Sequence, residues 1–178
     1  MKASAKRTLF VAFSAELTGY IETDLEGTGN VDSFLGLLEQ QAGAKALARF
    51  YDAAAAVLQH GSAAARAEAM RIDVLPSPTV WPLCANLIVL WYQGYWPALS
   101  AAWYAGTGGA PPKGWSATQK IVPSAQAYTA QLAYRAAGAH PPGANPTGHG
   151  SWSIDPVFGD AAHDEEGLIT RGHDRSAS

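Results

Sequence analysis

The chain has 178 residues, of which 48% are apolar and only 15% charged, with a formal net charge of −3. Its length fits one domain, or one domain with a tail, and allows a sizeable core. Soluble domains carry about 25% charged residues, so the deficit suggests that something else covers part of the surface. Nucleic-acid binding is excluded as a reading because the twelve Lys and Arg residues form no basic run with interleaved aromatics. The single cysteine, Cys84, excludes an internal disulfide, a CxxC redox pair and a Cys-rich metal site, and its apolar setting suits a buried small hydrophobe. The longest apolar stretch, Val80–Leu90, contains Pro82 and Asn86 and is too short to span a bilayer.

In chain order, Leu9, Phe10, Phe13 and Leu17 recur at helical spacing and predict a helix over residues 8–19, stopped by Gly19. Asp24-Leu25-Glu26-Gly27-Thr28-Gly29-Asn30 reads as a tight connection, because glycine permits positive φ and Asp and Asn favour turns. Asn30 or Asp32 is placed to cap a second helix running to Gln41. Gly43 breaks it, and a third helix spans Ala44–Leu58 with Leu47, Phe50, Tyr51, Ala54, Val57 and Leu58 on its apolar side. Residues 62–74 are Ala-rich with high helix propensity, ended by Pro76 and Pro78. The most apolar stretch, residues 79–103, reads as helix with Pro82 in its first turn and a break shortly after Tyr92 at Gly94 and Pro97. Gly106–Gly114 is a loop, and Ser124 caps a last helix over residues 125–137 ended by Gly138. Strand-type alternation is nearly absent. The expected fold is all-α: a compact helical bundle of five to six helices with an irregular Pro/Gly-rich C-terminal arm. Residues 8–158 make the helical domain, with the arm over residues 139–158, and residues 159–178 form a polar tail expected to be disordered.

Motifs that carry chemistry are scarce. No Gly-rich dinucleotide fingerprint, phosphate-binding loop or nucleophile elbow is present. The histidines, His60, His140, His149, His163 and His173, fall in loops or the tail with no third ligand beside the His140/His149 pair. Glu16, Glu22, Asp24 and Glu26 gather near the first turn, where a capping or solvated role outweighs general acid/base work. The aromatic band remains: Trp91, Tyr92, Tyr95 and Trp96 point around a helix and not along one stripe. Such a distribution predicts that some rings serve a partner interface, where Trp and Tyr are enriched. The expected interface set is Trp91, Tyr92, Tyr95, Trp96, Trp103, Tyr104, His140 and Trp152. No catalytic, cofactor-binding or metal residue is assigned.

Taken in order, Phe10-Val11-Ala12-Phe13-Ser14-Ala15-Glu16-Leu17-Thr18-Gly19-Tyr20, then Asp24-Leu25-Glu26-Gly27-Thr28-Gly29, then Leu90-Trp91-Tyr92-Gln93-Gly94, then the arm from Gly138-Ala139-His140-Pro141-Pro142-Gly143 to Gly150-Ser151-Trp152, resemble the small subunits of FAD-dependent, membrane-associated sugar and polyol dehydrogenases. These include the sorbitol, fructose and glucose dehydrogenase complexes, and the resemblance covers roughly residues 8–158. It implies a non-catalytic helical subunit that binds a large flavoprotein of the glucose-methanol-choline type and assists its maturation or export. FAD, an iron–sulfur cluster in several complexes, and haem c in a multihaem cytochrome c subunit would then belong to partner subunits. Lys6-Arg7, with no apolar run behind it, does not match the family's twin-arginine leader. The resemblance therefore implies a periplasmic location if a leader has been removed and a cytoplasmic one otherwise. Two alternatives stand beside it: an independent helical small-molecule binder or enzyme, and a scaffold of another assembly.

Overall fold

The computed structural model describes residues 2–139. The chain opens with α1 (Ala3–Thr18), which buries Phe10, Val11, Phe13, Ser14 and Thr18. Gly19 ends it in the left-handed region at φ 76°, its N–H bonded to the Ala15 carbonyl at 2.9 Å. The expected tight connection is partly helical: α2 (Glu22–Gly27) follows Ile21, which is extended. Two causes override its turn residues. Glu22 and Asp24 lie in the first turn, where negative charge suits the positive end of the helix dipole, and Leu25 is fully buried.

Next come α3 (Val31–Ala42) and α4 (Ala44–Leu58), separated by Gly43 alone. That residue sits at φ 70°, ψ 154°, a conformation open in practice only to glycine, so the break falls where the sequence places it. Asn30 occupies the N-cap position of α3, but its side chain makes no capping bond and instead donates to the Gln126 carbonyl at 3.4 Å.

The Ala-rich segment starts as α5 (Ala63–Ala69), capped by Ser62 Oγ, which accepts from the Ala65 N–H at 3.2 Å. It then widens into a π turn over Met70–Val74, with the Leu75 N–H donating to the Met70 carbonyl at 2.9 Å. The cause is visible in the inward-facing residues. Ala65 and Ala69 are four apart, but the next core residue, Val74, lies five further on. An unbroken α-helix at 3.6 residues per turn would turn Asp73 inward instead. The wider turn sends Val74 into the core and leaves Asp73 in solvent, with Ile72 and Leu75 beside it at 53% and 48% exposure.

After the proline-rich turn comes α6 (Trp81–Gln93), with Pro82 in its first turn and Gly94 ending it at φ 71°. The break expected shortly after Tyr92 thus falls at Gly94. Trp96–Pro97 forms β1, which pairs antiparallel with β2 (Lys120–Ile121) in the register Trp96↔Ile121 and Pro97↔Lys120. Between them lies α7 (Ala101–Thr107), capped by Ser100. The helix expected over residues 125–137 is two short ones, α8 (Ala125–Thr129) and α9 (Leu132–Ala136), broken at Ala130 and Gln131. Ser124 does cap the first, accepting from the Ala127 N–H at 3.0 Å.

Among the described residues the two-residue strands are the only sheet, and the fold is all-α as expected. The core lies where α1, α3, α4 and α6 meet. Phe34 and Trp91 cross edge-on at 4.7 Å between ring centroids, Phe13 meets Phe50 at 5.4 Å, and Phe10 lies 6.3 Å from Trp91. Helix α6 is the hub, touched by α1, α3, β1, α8 and α9. The last two helices are tied back to the first thirty residues. Gln126 Nε2 donates to the Thr28 carbonyl at 2.9 Å, the Tyr20 hydroxyl to the Leu132 carbonyl at 3.4 Å, and Arg135 to Asp24 at 2.8 Å.

Candidate functional site

The aromatic band that follows from α6 sits mostly in the interior. Trp91 and Trp96 are 1% and 0% exposed, and Trp103 and Tyr104 are 8% and 2% exposed. This fold finds room to cover those four rings almost completely, so little of them is left for a partner. The room comes from the break after Gly94. Had the helix continued, Trp96 would have pointed around its axis; in β1 it turns back under α6 and is covered completely. Two of the four polar tips are used inside the domain as well, while the Trp91 and Trp96 indole N–H groups meet no acceptor among the described residues. Trp103 Nε1 donates to the Thr79 carbonyl at 3.2 Å, and the Tyr104 hydroxyl to the Gln41 carbonyl at 3.2 Å.

Tyr92 and Tyr95 are half-buried. The Tyr92 hydroxyl donates to the Thr18 carbonyl at 2.8 Å, and its ring meets Tyr20 at 6.2 Å. Tyr95 lies under Lys120 Nζ, 4.8 Å from the ring centroid. These two keep partial exposure and an attachment to the domain together. His140 and Trp152, with the arm and tail, lie outside the described residues.

Three of the four carboxylates of the first turn, Glu16, Asp24 and Glu26, are braces. Glu16 accepts from Arg66 of α5 at 2.7 Å, with both side chains about a quarter exposed (23% and 25%). Glu26 takes a two-pronged bond from Arg7 at 2.6 and 2.7 Å, and Arg7 also donates to Asp32 at 2.8 Å, so one guanidinium joins α1, α2 and α3. The bond from Arg7 holds the Glu26 carboxyl below its ordinary value. A general acid working near neutral pH needs the opposite shift. Cys84 is fully buried, and burial pushes its thiol up from 9.0 to about 12, so it behaves as a small hydrophobe and not as a nucleophile. His60 is exposed at the end of α4. Among the described residues no three His, Cys, Asp or Glu side chains are grouped to hold a metal ion. None of the described helices is long and apolar enough to cross a membrane.

Sequence reasoning missed the surface features. Four branched aliphatics stand in solvent: Ile21 at 66%, Val122 at 58%, Ile72 at 53% and Leu75 at 48% exposure. Ile21 borders an open cleft of about 700 Å³ between the end of α1 and the start of α5, with Tyr20, Glu16, Ala63 and Arg66 on its walls. Val122 borders a second cleft of about 490 Å³ against α3, where Ser33, Gly36 and Gln40 form the opposite wall. The signal for Ile72 and Leu75 was available, since both precede a proline pair in an otherwise Ala-rich helix. Reading it required knowing that the helix widens. No protein-family model, curated protein or solved structure matches this chain.

Proposed function

We propose that this chain is a non-catalytic accessory subunit that docks on a flavin-dependent sugar or polyol dehydrogenase of the glucose-methanol-choline type and supports its maturation or export. The observation that carries the reading is how the side chains are used. Trp91, Trp96, Trp103 and Tyr104 are packed inside, and three of the four first-turn acids, Glu16, Asp24 and Glu26, are tied into ion pairs that brace helices. What faces outward includes four isolated branched aliphatics on a lightly charged surface. Of these, Ile72 and Leu75 lie three residues apart at the π turn and are the pair best placed to meet another protein. The choice of partner rests on the ordered resemblance of the residue 10–20, 24–29, 90–94 and 138–152 segments to the small subunits of those dehydrogenases. In that arrangement FAD, any iron–sulfur cluster and haem c reside in the partner subunits, and the complex works at the periplasmic face of the inner membrane.

Co-expression with a flavoprotein of that type, taken from a gene neighbouring this one's, tests the proposal. The expected result is a stable co-purifying complex and a higher yield of FAD-loaded flavoprotein than without this chain. Ile72→Asp and Leu75→Asp should each weaken the complex about tenfold or more, about 1.4 kcal/mol, while leaving the free subunit's melting temperature in place. A flavoprotein that folds and loads fully without this chain, and does not bind it, would overturn the reading. A second reading, an independent small-molecule binder, draws on the 700 Å³ cleft beside Tyr20 and the Glu16–Arg66 pair. It predicts a thermal shift of the isolated chain by a sugar or polyol, abolished by Arg66→Ala.

A further inference from the structure

No further inference is drawn: the strongest candidate, the apolar corner where the π turn leaves Ile72 and Leu75 in solvent ahead of Pro76, belongs to the docking surface already proposed, and nothing in the structure shows what covers it.

Discussion

Replacing Trp96 by alanine separates a core role from an interface role. The indole is 0% exposed, so the substitution removes it from a fully covered site. A buried tryptophan covers roughly 150 Å² or more, which at about 25 cal/mol per Å² amounts to about 4 kcal/mol, within the ~3–5 kcal/mol observed when large core rings are cut to alanine. No hydrogen-bond loss adds to this, because the indole N–H meets no acceptor among the described residues. For a domain of this size each kcal/mol lowers the melting temperature by about 2–4 °C, so a drop of about 8–16 °C is expected. Urea unfolding followed by circular dichroism measures the free energy directly, with Val122→Ala as the exposed control, expected within about 0.5 kcal/mol of the parent. Trp96→Phe keeps one ring and removes the unpartnered N–H, so its cost should fall well short of the alanine variant's. If Trp96→Ala melted within about 2 °C of the parent, the burial argument would be refuted.

Three further outcomes follow from the packing. At Gly94, φ is 71° and an added Cβ would lie 2.4 Å from the Ala127 carbonyl oxygen; Gly94→Ala should therefore cost more than the ~1–2 kcal/mol of a left-handed alanine alone, and hydrogen exchange should show faster opening at residues 125–129. Because burial raises the Cys84 thiol to about 12, the folded state holds a proton that the unfolded chain releases above about pH 9. That contribution is intact below pH 9 and disappears as pH rises toward 12, so Cys84→Ala should flatten the alkaline decline in stability measured by urea titration. Deleting Ile72 should close the π turn into α-helix and still deliver Val74 to the core. Its thermal transition should stay cooperative, whereas deletion of Ala48 within α4 should abolish folding; a non-cooperative melt for the Ile72 deletion would rule out this account of the turn.

The long helices were legible because period and punctuation agreed in them. Ala44–Leu58 matched its predicted span residue for residue, with a broad apolar face behind a position whose backbone geometry suits only glycine. Ser124 and Pro82 likewise acted as the local signals suggested. Failures came where tertiary contacts decided the matter. The Asp24–Asn30 segment looks like a turn by composition, yet the fully buried Leu25 and the Arg7–Glu26 bond hold its first half, through Gly27, helical. The β1–β2 pair has two residues a side, too few to produce an alternating pattern. In the aromatic band the break at Gly94 was legible, but the turn that carries Trp96 back under α6 was not. Ile72 and Leu75 could not be placed by periodicity alone, because the widened turn breaks the period at that point.

The bonds that join α8 and α9 to Tyr20, Asp24 and Thr28 span about a hundred positions of sequence. During synthesis, the amino-terminal third leaves the ribosome long before the residues that close over it have been made. Loop closure of that length slows folding and prolongs exposure of unfinished apolar surface. A chain stopped before residue 125 would therefore leave uncovered the part of α6 that α8 and α9 pack against. Such a nascent fragment should be a preferred client for holding chaperones until its final helices arrive.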